Sequence, residues 1–253
     1  MAGTQAVGAQ VSGEWTDYGG LDGPGLDRDF WSPGYPPLPG GARSTGDIGA
    51  EVVVANQEVC VTIPRFSFAH DSFQPADNVK YLMFSQQLAL PAVGPAAFGV
   101  DMAISTLGAS SADVRLGMAS LNVVDERSGL VFDIGGTSTR MIAVHEALSF
   151  AVGEQAAFTH LVESPFVDLS DDLTRFRSCE IILDRERGSA EWLVDGNTIY
   201  RQEAIPIPAQ VKVGFGLFTL YPIRSGVSRS VQGQGLRGRW RRFRFKGATP
   251  TSQ

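Results

Sequence analysis

Cysteine is nearly absent, with only Cys60 and Cys179 in 253 residues. That excludes a small disulfide-stapled scaffold and leaves two reduced core thiols as the expectation. Histidine is scarce too, at positions 70, 145 and 160, not spaced as ligands on one element and with no cysteine nearby. No metal site is expected. No run reaches the roughly 18 consecutive apolar residues of a membrane helix. Residues 94–104 come nearest, and Pro95 and Asp101 interrupt them. The opening MAGTQAVGAQVSGEWTDYGG lacks the basic and apolar regions of an export signal, so a cytoplasmic chain without membrane contact is expected. The net charge of −6 is too acidic for a general nucleic-acid binder. No Gly-x-Ser-x-Gly elbow is present, which removes support for Ser-His-Asp catalysis. The glycines of GQGLRGRW and VGFGLF do not stand as Gly-x-Gly-x-x-Gly between a strand and a helix. No dinucleotide or other cofactor is expected.

What is present points to a turn-rich globular fold. Apolar residues make up 43% of the chain, and 29 Gly with 14 Pro supply the turns. Residues 1–48 carry Gly and Pro in clusters and show no period. Their aromatics, Trp15, Tyr18, Phe30, Trp31 and Tyr35, argue for an irregular wrap docked on the body rather than a loose tail. From Glu51 the signals are of strand type. EVVVANQEVCVTI reads as a hairpin turning at Asn56-Gln57, and strands follow at 79–85, 98–106 and 115–124. Asp125 to Gly129 is a turn before LVFDI, Gly135-Gly136 the next, and TRMIAVHEAL the returning strand. CEIILDRERGSAEWLVDGNTIYRQE holds tight turns at Arg187-Gly188 and Asp195-Gly196; VKVGFGLFTLY and GRWRRFRF close the set. One helical turn is expected at 170–176, capped by Ser170. The expected architecture is all-β, a two-sheet antiparallel jelly-roll sandwich at 49–247, with a tail at 248–253 and one domain overall. Its oligomeric state is left open.

The segment RFRSCEIILDRERGSAEWLVDGNTIYRQEAIP resembles the strand–turn–strand of concanavalin A-like lectin and glucanase sandwiches, through Trp192, Val194, Asp195, Gly196 and Tyr200. LDRDFWSPG is similar to that superfamily's opening segment and GRWRRFRF to its final strand. In DNVKYL, LVFDIGGTSTRMIAVHE and GQGLRGRW the chain also resembles an uncharacterised actinobacterial family of such sandwiches. The resemblance implies the fold and says little about function. Glucanases of the superfamily place Glu-x-Asp-x-x-Glu on one strand, so that alternate carboxylates face a concave cleft and act as nucleophile and acid/base. This sequence has no such motif, which argues against glucanase chemistry and leaves open a carboxylate pair drawn from two strands.

Several side chains interrupt the apolar strands. Asp133 shares a face with Val131, while Leu130, Phe132 and Ile134 share the other. It reads either as a pocket acid or as a strand-end residue bonding the Gly135-Gly136 turn. Arg140, Ile142, Val144 and Glu146 point one way, and Met141, Ala143 and His145 the other. His145 is either a proton donor and acceptor in a pocket or a hydrogen-bonded structural residue. Lys80 is expected on one face with Leu82 and Phe84, paired with Asp77 at a pocket mouth or in a loop-anchoring ion pair. Residues 237–246 hold six of the 21 cations, leaving a remainder of −12. With Trp240, Arg242 and Arg244 on one face and Arg241, Phe243 and Phe245 on the other, the segment reads as a charged edge strand with a local anion site or acidic pairing.

The missing cleavage motif and the apolar strand faces give the leading expectation, a cytosolic enzyme holding an apolar small molecule in the concave sheet. A cyclase or isomerase step of specialised metabolism is the concrete form. Its catalytic residues would be His145, Asp133, Glu146 and Lys80, and its substrate contacts Asp77, Arg140, Met118, Phe84 and Trp192. No nucleic acid, membrane, metal or cofactor takes part. The alternatives are a carbohydrate-binding or glycoside-cleaving protein, which needs exposed indoles among Trp15, Trp31, Trp192 and Trp240, and a non-catalytic partner-binding module.

Overall fold

The computed structural model describes residues 11–17, 21, 25–34, 46–67, 78–163, 174–220 and 231–251. Asp77, His70, Asp71 and the Ser170 cap lie outside them. Strands dominate, in the order β1 (Thr16–Asp17), β2 (Ser32–Pro33), β3 (Glu51–Ala55), β4 (Glu58–Ile63), β5 (Asn78–Ala89), β6 (Pro95–Leu107), β7 (Met118–Asp125) and β8 (Leu130–Gly136). They continue as β9 (Met141–Ala147), β10 (Phe158–Glu163), β11 (Arg177–Asp184), β12 (Ser189–Val194), β13 (Asn197–Gln202), β14 (Gln210–Thr219), β15 (Gly235–Lys246) and β16 (Thr249–Pro250). Among the described residues the helical elements are a four-residue helix at Ser149–Val152 and a 3-10 turn at Val114–Leu116.

The strands form two antiparallel sheets. The first runs β13-β12-β11-β6-β15-β4-β3, with β1 alongside β15; the second runs β10-β9-β8-β7-β14-β5-β16, with β2 alongside β5. This is the expected jelly-roll sandwich. Residues 16–17 and 32–33 extend one sheet each, and 249–250 pair with the far end of β5. The β3–β4 hairpin turns where the sequence placed it, with Asn56 and Gln57 at φ 54° and 58°, as a two-residue turn matched to strand twist requires. Asp195 and Gly196, at φ 51° and 76°, turn β12 into β13 in the same way.

The inner faces meet in one core, with Val59, Phe98, Ile181 and Trp240 from the first sheet against Leu121, Phe132, Ala143 and Phe215 from the second. The second sheet is buried on its outer face as well, where Leu82, Phe84, Met118, Val131, Val144 and Phe218 form a separate apolar cluster. Burial on both sides explains why β7, β8 and β9 read as near-continuous apolar runs.

Several expectations need correction. Gly135 and Gly136 are not a turn: β8 continues through both, opposite Ser120 and Ala119 on one side and Ile142 and Met141 on the other. A Cβ on Gly136 would stand 2.4 Å from the Arg140 carbonyl, so close approach is what the glycine serves. The turn is made next by Thr137, whose hydroxyl accepts the amides of Thr139 at 3.1 Å and Arg140 at 3.0 Å. β7 starts at Met118 rather than 115, because Asp113 accepts the Arg115 amide and caps a 3-10 turn first. β15 is a central strand between β6 and β4, not an edge. Cys60 and Cys179 are both free thiols, on strands with two others between them.

Candidate functional site

The period-2 reading of β8 and β9 holds. Asp133 and Glu146 both leave the second sheet on its outer side, with Val131 and Val144, while His145 enters the core. In the ladder Asp133 faces Val144 and Glu146 faces Val131, which makes the two carboxylates diagonal neighbours on adjacent strands. Both are nearly buried, Asp133 at 6% and Glu146 at 8% exposure. Each has a polar neighbour aimed at it. Across β7, Ser120 donates to the Asn122 amide oxygen at 3.0 Å, and Asn122 donates to Asp133 Oδ2 at 2.7 Å. Across β10, the Thr159 hydroxyl donates to Glu146 Oε1 at 2.6 Å. Burial lifts the Glu146 carboxyl above the ordinary carboxylate range, against the smaller opposing effect of the Thr159 hydroxyl.

Met118 and Phe84 belong to the same outer face. The other expected residues do not. His145 is buried among rings, stacked on Phe132 at 5.1 Å and edge-on to Phe158 at 4.9 Å. Its Nδ1 pairs with Gln202 Oε1 at 2.6 Å, and its Nε2 is buried without a partner. Burial pushes its pKa below the usual value; the Gln202 contact opposes this and the charge of His160 adds to it. Trp192 is likewise in the core, tilted against Tyr200 at 5.0 Å. Lys80 departs from the face expected for it. The register slips between Leu217 and Phe218, so Val79 rather than Lys80 joins the outer cluster with Leu82 and Phe84. The buried Lys80 ammonium stands 5.6 Å from the Phe66 ring centre. Arg140 pairs with Glu163 of β10, both about two-fifths exposed.

Sequence reasoning missed Ser120, Asn122, Thr159 and Gln202. The first two did carry a signal: they are alternate polar positions on one face of the otherwise apolar MASLNVV. A groove of about 840 Å³ lies elsewhere, between β3 and β5, lined by Trp31, Val52, Val54, Tyr81 and Met83 and by none of the expected site residues. Three of the four indoles, those of Trp31, Trp192 and Trp240, are fully buried. Trp15 is 38% exposed and lies over Arg244 of the first sheet. Stacking of sugar rings on tryptophan therefore has no place on the outer face of the second sheet.

Comparison with known proteins follows the architecture. A family model described as "Family of unknown function (DUF6081)" matches residues 40–249. An endo-1,3-beta-glucanase from Streptomyces sioyaensis superimposes with a TM-score of 0.56 at 12% identity, covering 99% of this chain and 100% of that one. A beta-1,3-1,4-glucanase (lichenase) derived from a mouse hindgut metagenome gives 0.54 at 13%, over 94% and 99%. The beta-glucanase of Bacillus licheniformis gives 0.52 at 12%, over 96% and 99%. No curated protein sequence matches. At such identities the likeness shows the fold, which is that of the glucanase sandwiches. It overturns the expectation of a cyclase or isomerase acting on an apolar small molecule. The residues assigned to that one pocket in fact divide among the core, the outer face and a strand edge. Among the described residues no helix is long and apolar enough to cross a membrane.

Proposed function

We propose that the chain, which belongs to the DUF6081 family, is a carbohydrate-active protein whose glycan site is the outer face of the second sheet. Asp133 and Glu146 are its working carboxylates. The observation that carries this reading is their diagonal placement on β8 and β9, each with its own polar neighbour. The glucanase sandwiches that share the fold support the substrate class, and a β-linked glucan is the ligand to test first. Similarity in DNVKYL and LVFDIGGTSTRMIAVHE supports placing the family among actinobacterial sandwiches.

The chemistry follows from the two environments. Glu146, with its pKa raised by burial, holds a proton to higher pH than an ordinary glutamate and suits protonation of a leaving glycosidic oxygen. Asp133 accepts the Asn122 amide, which holds its carboxylate in one orientation for a water. Diagonal neighbours of an antiparallel pair stand about 7–8 Å apart. That backbone spacing lets both side chains flank one glycosidic bond from adjacent strands. In this reading the missing Glu-x-Asp-x-x-Glu marks a different placement of the carboxylates, on two strands instead of one.

The test uses laminarin and mixed-linkage β-glucan, with retardation in affinity gels for binding and reducing-end release for cleavage. The folded protein is expected to bind at least one and to release reducing ends from it. Asp133→Asn and Glu146→Gln, each checked for folding by its thermal transition, are expected to lose roughly a hundredfold or more of the release while keeping the retardation. Neither retardation nor cleavage with any glycan of the panel overturns the reading. Cleavage that survives both substitutions overturns the assignment of the carboxylates.

A further inference from the structure

On the opposite side of the sandwich, the outer face of the first sheet carries an arginine cluster that the glycan reading does not use. In β15 the register slips between Arg241 and Arg244, and Arg242 takes φ 56°. The bulge turns Trp240, Phe243 and Phe245 all into the core. It leaves Arg241, Arg242 and Arg244 outside, where strict alternation puts Arg242 and Arg244 with Trp240 and sets Arg241 on the other face. All three converge on Asp101 of β6, at 3.5, 3.2 and 3.7 Å.

One carboxylate does not satisfy three guanidinium forks. Only Arg242 makes a hydrogen bond to Asp101, and Nε of Arg241 with Nε and Nη1 of Arg244 are buried without an acceptor. The adjacent Arg239 is different, since Glu58 takes it at 2.7 and 3.1 Å. Asp17, opposite Arg244 on β1, forms no ion pair among the described residues. Glu180, the next carboxylate along, faces Arg244 and Lys246 and is itself held above the ordinary range by burial.

The cluster is also held in place. The Arg241 guanidinium lies 3.9 Å from the Phe176 ring centre, and that of Arg244 lies 4.8 Å from Trp15 and donates to Ser178 at 2.9 Å. The side chains of Arg241 and Arg242 are 42% and 64% exposed, so the outer ends of their guanidinium forks reach solvent while Arg241 Nε does not. The left-handed position at 242 suits glycine or asparagine better than arginine on backbone grounds. Strain of that kind gathers where a side chain must be aimed.

We propose that Arg241 and Arg242, steadied by Asp101, Arg244 and Phe176, form a binding site for a small tetrahedral oxyanion of the phosphate or sulfate class. The two exposed forks supply charge-assisted donors in a fixed arrangement, and the anion supplies the acceptors that Asp101 cannot.

The experiment is a titration of the full chain with inorganic phosphate and with sulfate against chloride at constant ionic strength, read by thermal shift and by calorimetry. A saturable rise in melting temperature and a matching binding isotherm are expected. Arg242→Gly keeps the positive φ and folds, yet is expected to weaken binding roughly tenfold or more. Arg237→Gln, on the same strand beside Thr62, is expected to leave it unchanged. A stabilisation that never saturates and is equal in Arg242→Gly is anion exclusion from the surface and overturns the site. Equal weakening by Arg237→Gln overturns it in favour of a diffuse field. Binding to phosphatidylglycerol vesicles without saturable binding of free phosphate overturns the small-ion assignment.

Discussion

Replacing His145 by phenylalanine separates what its ring does from what its nitrogens do. The imidazole is 1% exposed and lies among Phe132, Phe158 and Trp192. Nδ1–H donates to Gln202, so the neutral ring offers Nε2 as an acceptor with nothing to accept. A phenyl ring keeps the stacking. It gives up one hydrogen bond worth about 1 kcal/mol and removes an unpaired buried nitrogen of similar cost. At pH 7.5 the variant is therefore expected within about 1 kcal/mol of the native protein.

Acid is where the two should part. The folded pKa of His145 lies below its unfolded value, so the unfolded chain binds the proton more readily. The native protein then has its full stability above the unfolded value of about 6.5 and loses it as pH falls, levelling off below the folded pKa. Linkage to the unfolded value of about 6.5 therefore weakens the native protein more at pH 5.5 than at pH 7.5, by at most about 1.4 kcal/mol, the figure for a ring that takes up no proton when folded. Phenylalanine pays none of this, so the difference between variant and native protein cancels all other titrations. Urea denaturation followed by tryptophan fluorescence at the two pH values measures it. Parallel stabilities across that range, or a variant that loses more in acid, refute the assignment of a desolvated neutral imidazole.

Glu146 has the opposite sign. Its raised folded pKa means that the stability it contributes is full below about 4.5 and is lost as pH rises through the folded value. Glu146→Gln is therefore expected to be more stable than the native protein at pH 8 and no more stable at pH 4, by the same urea assay. Gln57→Gly, at φ 58° in the β3–β4 turn, is expected to raise stability by roughly 0.5–1 kcal/mol, visible as a higher denaturation midpoint. Thiol titration is expected to find one reactive cysteine in the folded protein, the half-buried Cys60, and a second only in denaturant, because Cys179 is fully buried and its thiol pKa is pushed up. No disulfide is expected to form, since three strand spacings of about 4.8 Å separate their strands, well beyond the reach of an S–S bond.

Alternation made the faces of β8 and β9 legible. A period of two alone separated Asp133 and Val131 from Phe132 on β8, and Glu146 and Val144 from His145 on β9. The same rule failed at Lys80 and along GRWRRFRF, for one physical reason. Each strand carries an extra residue where its register slips, and everything beyond the bulge changes face. A glycine or asparagine at φ > 0 would have marked the place, but the left-handed residue in β15 is Arg242. Gly135-Gly136 failed in the other direction, because a glycine pair that signals a turn in isolation is here required by the Arg140 carbonyl and Met118 Sδ packed against it. The pairing of Asp133 with Glu146 was out of reach for a different reason. It depends on which residues of β8 and β9 stand opposite one another, and that register is set by the Thr137 turn rather than by either strand's own pattern.

The core and the proposed glycan site are also joined by a path of hydrogen bonds. Trp240 of the first sheet crosses the interior and donates Nε1–H to the Ser120 carbonyl at 3.1 Å. This satisfies a buried indole and fixes β7 against β15. From the same residue the Ser120 hydroxyl donates to Asn122 Oδ1, which leaves the amide only one way to face. Nδ2 must then point along the strand pair to Asp133, where it donates at 2.7 Å. A carboxylate accepts that bond with charge assistance, while on the next strand burial lifts the Glu146 carboxyl above the ordinary range. The two carboxyls thus sit in different surroundings, Asp133 beside the Asn122 amide of β7 and Glu146 beside the Thr159 hydroxyl of β10. In the proposed site Asn122 acts as a positioning residue, through its hydrogen bond to Asp133. Its replacement by leucine removes the donor and presses an apolar group on Asp133, and by aspartate it sets two carboxylates side by side, so both are expected to lower reducing-end release while the thermal transition of the sandwich remains.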